Sequence, residues 1–212
     1  MKYGDLNLGQ VEAIVNKLGG IEGVRRFLSG ELVVKEPEWE GEIWRSIKIG
    51  TGLKTANDFI QTIVSSGLET ADASIQALDK SFKIGCWAEK MLKTLAFTDS
   101  VAFKKTEMEL VNISVADLDF KESESVSGSD IYKRAYQLGL ELCPAEVGPQ
   151  LWLQYKDQPK DDHLHIGMKP ILGRIFRIDN LGYCRTLNSV GEFNTFRWAS
   201  YNRWVFLRRK PC

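Results

Sequence analysis

From Cys143 to the C-terminus the chain breaks into short apolar segments, QLWLQY, HLHIGM, RIFRI, YCRTL, TFRWA and WVFL. Between them stand KDQPKDD, DNLG, SVGEFN and SYNR, each rich in turn formers. A period of two puts successive side chains on opposite faces of a strand, and strands this short with turns this frequent suit a meander. Residues 143–212 are therefore expected to form an antiparallel β-sheet or small barrel. QLWLQY and HLHIGM read as one hairpin, with Leu151, Leu153 and Tyr155 facing Leu164, Ile166 and Met168.

Upstream the apolar spacing is helical. Leu8, Val11, Ile14, Val15 and Leu18 recur at i, i+3, i+4, i+7, with Asn7 placed to cap the helix and Gly19–Gly20 to end it. IEGVRRFLSG repeats the pattern with Ile21, Val24, Phe27 and Leu28 before Gly30, so residues 1–35 read as a helical hairpin. A charged stretch containing Pro37 follows as a linker. Residues 36–142 then mix strands, IWRSIKIG and EMELVNISV, with helices over ANDFIQTIVSSG, about 74–95 and DIYKRAYQ. KESESVSGSD reads as a polar loop. The fold class expected is α+β, in three regions, 1–35, 36–142 and 143–212.

Bulk properties exclude more than they indicate. The 28 basic and 28 acidic residues cancel, so no global field draws the chain to nucleic acid or membrane. Cys86, Cys143, Cys184 and Cys212 form no C-x-x-C pair, and no run of 18 apolar residues occurs, which points to a cytoplasmic, reducing setting without membrane partners.

KDDHLHIGM holds both histidines of the chain. On a strand, Asp161, His163 and His165 share a face, and D-x-H-x-H is chemically competent for a divalent metal. The facing segment offers Trp152, Gln154 and Lys156, which add no good ligand and bring a cation close, so these residues read as solvent-facing strand histidines, with no metal or cofactor assigned. An enzyme reading survives as a small metal- or carboxylate-dependent hydrolase built on Glu146, Asp161, His163 and His165, and it requires those four side chains to converge in one cleft.

The C-terminal FRWASYNRWVFLRRK interleaves Arg197 and Arg203 with Trp198, Tyr201 and Trp204. Stacking rings beside cations can hold single-stranded nucleic acid, carbohydrate or an acidic protein segment. These five residues are the candidate ligand-binding set for a non-enzymatic binding protein, although the plainer reading of the segment is a final hairpin whose rings are core and whose arginines are a solubilising tail. The N-terminal hairpin also has the outline of a helix-turn-helix that would offer Arg25 and Arg26 to DNA; it could equally dock or dimerise. Catalytic signatures are missing: GTGLKT lacks phosphate-loop spacing, and no G-x-S-x-G occurs.

At LGQVEAIVNKLGGIEGVRRFLSGEL and LGLELCPAEVGPQLWLQYKDQP the chain resembles a group of uncharacterised small proteins encoded in genomes of environmental, uncultured bacteria. The resemblance spans nearly the whole chain, including IGMKPI and RWVFLRRK. It implies a bacterial origin and supplies no catalytic or binding residue.

Overall fold

The computed structural model describes residues 6–34, 37–66, 83–120, 126–191 and 195–209. The part of the expected 74–95 helix before Lys83, and Lys210 and Cys212 in the tail, lie outside them. The chain divides into two compact units, Met1–Pro37 and Glu38–Cys212.

The first unit is the expected helical hairpin. Helix α1 (Leu8–Lys17) starts at a reciprocal cap in which Asn7 Oδ1 accepts from Gln10 N–H and Gln10 Oε1 accepts from Asn7 N–H, both at 2.9 Å. Gly19 and Gly20, at φ of 91° and 80°, turn the chain into α2 (Gly20–Leu28). The turn is tight enough that a Cβ at Gly23 would lie 1.6 Å from the Leu18 carbonyl oxygen.

The second unit is built on one curled, mixed sheet of seven strands: β1 (Arg45–Ile49), β2 (Thr106–Ser114), β3 (Leu140–Glu141), β4 (His163–Ile166), β5 (Ile175–Asn180), β6 (Arg185–Val190) and β7 (Arg203–Arg208). Its described helices are α3 (Ala56–Ser65), α4 (Cys86–Leu92), α5 (Leu95–Thr98), α6 (Gly128–Gln137) and α7 (Val147–Gln154). Together with the first unit this is an α+β protein. The strand order is β1-β2-β7-β4-β5-β6, with β3 pairing the end of β7 beyond β4. Strands β4, β5 and β6 form the antiparallel meander the alternation predicts. The last strand departs from it, because β7 inserts between β2 and β4 and runs parallel to β4. That insertion joins the expected central and C-terminal regions in one sheet, and Cys143 marks no boundary between compact units. TFRWA contributes only the isolated bridge Val126–Trp198 rather than a strand.

Both sheet faces are covered, as a central strand reading Trp-Val-Phe-Leu requires. On one face Ile47, Leu110, Ile166, Phe176 and Leu187 meet Phe59 of α3, Met91 of α4 and Leu151 of α7, all buried. On the other, Tyr132 of α6 meets the rings of Trp204 and Phe206 edge-on at 5.9 and 6.0 Å.

QLWLQY is not a strand but the body of α7, so the expected hairpin with HLHIGM does not form. The helix is buried on nearly every side, so no solvent-facing stripe betrays its period. What reveals it is Glu146, Gln150 and Gln154, spaced i, i+4, i+8 along the edge of β1. Gln154 accepts from Lys48 N–H (2.9 Å) and donates to Lys48 C=O (2.7 Å), so one side-chain amide pairs with the edge strand as a neighbouring strand would. Gln150 donates to Thr51 Oγ1 at 2.7 Å. No helix among the described residues is long and apolar enough to cross a membrane.

Candidate functional site

The most organised polar cluster lies on the α6 side of the sheet, where the registers of β4, β5 and β6 set six side chains in two rows. His163 stands opposite Asp179, and Asp179 opposite Thr186; in the second row His165 stands opposite Arg177, and Arg177 opposite Asn188. Asp179 is the centre. Its side chain is only 3% exposed, yet Oδ1 receives His163 Nδ1 at 2.8 Å and lies 2.8 Å from Arg177 Nε, while Arg177 Nη2 donates to Oδ2 at 3.0 Å. Asn188 Nδ2 adds a contact at 3.4 Å. A carboxylate out of water is costly unless compensated, and this one is compensated by a two-point guanidinium contact and an imidazole.

The compensating groups remain partly in solvent. The His163 side chain is 44% exposed and that of Arg177 30% exposed. With Nδ1 directed at Asp179, Nε2 of His163 points away from the carboxylate, and Arg177 keeps further N–H donors beyond the two facing Asp179. The cluster therefore fixes the orientation of one imidazole and one guanidinium at the surface.

His165 has a different fate from its neighbour two residues earlier. It is buried, so the expectation of two solvent-facing histidines holds for His163 alone. Its Nδ1 pairs with Arg203 C=O at 3.0 Å, and its ring lies 4.8 Å from that of Trp198 and 5.4 Å from that of Trp204. Burial, with the adjacent Arg177 charge in support, pushes its pKa down to about 4.

The hydrolase constellation does not assemble. Glu146 is fully buried, accepting from Gly50 N–H at 2.8 Å, Ala102 N–H at 2.7 Å and the Gln150 amide at 3.1 Å, which commits it to joining α7 to two loops. Asp161 adopts a left-handed turn conformation, φ 61°, ahead of β4. Among the described residues no three of the histidine, cysteine, aspartate and glutamate side chains lie where they could share a metal ion.

The five predicted ligand-binding residues are dispersed. Trp198 and Trp204 are 3% and 0% exposed, their rings 4.6 Å apart inside the protein, so neither offers a face for stacking. Arg203 is next to Trp204 on β7 and so points through the opposite face, where its Nε donates to Asn112 Oδ1 at 3.2 Å. Arg197 and Tyr201 are exposed on the connection before β7. Phe196, 4.7 Å from the Trp198 ring, is the exposed end of the aromatic run that continues through Trp198 to His165. Asp179 and Arg177 belong to no motif in the sequence, and the signal for them lies in RIFRIDN, where Arg and Asp two apart interrupt a buried apolar strand.

In the first unit Arg25 and Arg26 are exposed, but each faces an acid: Glu22 at 3.4 Å and Glu31 at 3.9 Å. Residues 6–34 carry Lys17, Arg25 and Arg26 against Glu12, Glu22 and Glu31, so the hairpin presents no net positive charge to a phosphate backbone.

Compared with known family models, curated proteins and solved structures, the chain matches none.

Proposed function

We propose that the chain is a cytoplasmic binding protein whose contact surface is the His163–Arg177 end of the sheet, continued by Phe196 and Arg197, and that its partner is a protein segment carrying acidic and apolar groups together. The observation carrying this reading is the buried Asp179 that fixes a half-exposed histidine and arginine side by side. A buried ion pair is a weak device for stability, whereas donors held in place before a ligand arrives reduce the ordering cost of binding.

The test screens the intact protein against immobilised acidic peptides, glycans and single-stranded oligonucleotides, alongside His163→Ala and Phe196→Ala. Thermal unfolding of each variant checks that the fold is kept, and Phe196→Ala leaves the contacts of the buried Asp179 untouched. Selective peptide binding weakened about tenfold in each variant, equivalent to roughly 1.4 kcal/mol, is the expected result. Binding indifferent to both variants, or confined to glycans or oligonucleotides, rejects the proposal.

The 2.8 Å His163–Asp179 contact also favours a second reading, in which His163 is the general base of a hydrolase and Asp179 its orienting group. That reading requires turnover of an ester or amide substrate panel, abolished in His163→Asn. Peptide binding without turnover separates the two.

A further inference from the structure

The N-terminal hairpin has an apolar surface and almost no interior. Among its described residues only Gly23 is buried. Its helices span 10 and 9 residues, shorter than the roughly 12–15 residues at which isolated helices become even marginally stable in water. Val15, Leu18 and Val24 are half-buried, while Leu8, Val11 and Ile14 on α1 and Ile21, Phe27 and Leu28 on α2 are exposed, Leu8 at 88% and Leu28 at 77%. The positions 8, 11, 15, 18 and 21, 24, 28 follow the three-four alternation of helices that pack lengthwise against other helices.

We infer that this surface pairs with the same surface of a second copy of the chain, joining two hairpins into a four-helix arrangement. Two quantities are consistent with a second copy, the area at the lower end of what a stable pair buries. The six exposed side chains leave roughly 500–700 Å² of mainly apolar area per hairpin, counting about 100–200 Å² for a bare side chain, against the ~800 Å² per partner of a standard interface. The charges are balanced three against three, and both arginines face acids within their own hairpin. Such a surface asks for no oppositely charged partner and suits a twofold contact in which each copy offers what it receives. Pairing would place two copies of the Glu38–Cys212 unit in one assembly, so a partner with two binding segments would be held at raised effective concentration.

Sedimentation of the intact chain from low micromolar to several hundred micromolar tests this. All six tryptophans lie in the second unit, so their fluorescence reports separately whether that unit stays folded. The expected result is a concentration-dependent species of twice the 24.0 kDa chain mass. In the double variant Val11→Glu, Leu28→Glu, association weakens by at least about 100-fold, because carboxylates are forced into an apolar contact. Gly23→Ala, whose Cβ cannot be placed beside the Leu18 carbonyl, opens the hairpin and also gives monomer. A wild-type chain that is monomeric throughout overturns the inference without reference to any variant. So does a dimer that survives both variants, or growth into open-ended assemblies instead of a closed pair.

Discussion

Replacing Glu146 by glutamine changes one oxygen to an NH2 group without altering side-chain volume, in a place where no water can repair the loss. The carboxylate accepts from Gly50 N–H on one oxygen and from Ala102 N–H on the other, with the Gln150 amide as a third donor. An amide at this position leaves one backbone N–H without an acceptor and turns a donor toward it. A buried orphan donor costs about 1–3 kcal/mol, and loss of charge assistance on the remaining contacts adds about 1 kcal/mol, so Glu146→Gln is expected to destabilise the second unit by about 3 kcal/mol. For a unit of this size each kcal/mol lowers Tm by about 2–4 °C, giving a fall of roughly 6–12 °C. Urea and thermal unfolding followed by tryptophan fluorescence read it directly. Gln154→Ala, farther along the same helix stripe, exposes the Lys48 amide and carbonyl at a partly solvated edge and is expected to cost only about 1 kcal/mol. A Tm for Glu146→Gln within about 2 °C of the wild type would refute the assignment of Glu146 to structure, since a carboxylate that can be neutralised at no cost is not joining the helix to the loops.

His165 makes stability depend on pH. Its folded pKa of about 4 lies below the ordinary histidine value, so between them the unfolded chain takes up the proton; the contribution is complete above about pH 6.5 and is lost as the pH falls toward 4, by about 3 kcal/mol. Urea midpoints measured across that range should fall for the wild type and flatten in His165→Gln; an unchanged slope would show that His165 is not the group responsible. The Tyr132 hydroxyl donates to Met168 C=O at 2.6 Å and accepts from Met168 N–H at 3.0 Å, so Tyr132→Phe leaves two buried backbone groups unpaired and should cost about 2 kcal/mol in the same assay. A loss below about 0.5 kcal/mol would mean that the two backbone groups find other partners.

The hairpin was legible because its signals are local. Asn7, Gly19, Gly20 and Gly30 act within a few residues, and each stands where its cap or turn requires it. The β4–β5–β6 meander was legible for the same reason, since alternation and turn residues are read within one segment. Helix α7 was hidden by burial: surrounded by apolar neighbours, it has no solvent face to mark a 3.6-residue period, and Leu151, Leu153 and Tyr155 happen to alternate as a strand would. Its polar stripe, Glu146-Gln150-Gln154, was the available clue, because three hydrogen-bonding side chains at four-residue spacing in an otherwise apolar stretch need a common partner, and here that partner is the edge of β1.

The same distinction explains why the candidate site moved. Two apart on one strand, His163 and His165 were correctly placed on a shared face, but whether that face meets water is decided by strands far away in sequence. Trp204 of β7, beside β4, covers His165, whereas Asp179 of β5 pairs His163 and leaves it half exposed. The arginine-tryptophan interleaving of FRWASYNRWVFL suggested a stacking surface because composition carries no direction. Alternation does: Trp204 and Phe206 share a face whose cross-strand neighbours are Ile113 and Val111, while Arg203 lies on the other. A face lined in that way is an interior, and the uninterrupted apolar run Trp204–Leu207 is the mark of a strand covered on both sides. A buried Asp179 held by a partly exposed Arg177 breaks the pattern of such a sheet, which is why the chemistry of this protein is better sought where charged residues interrupt buried strands than where aromatic residues accompany arginines.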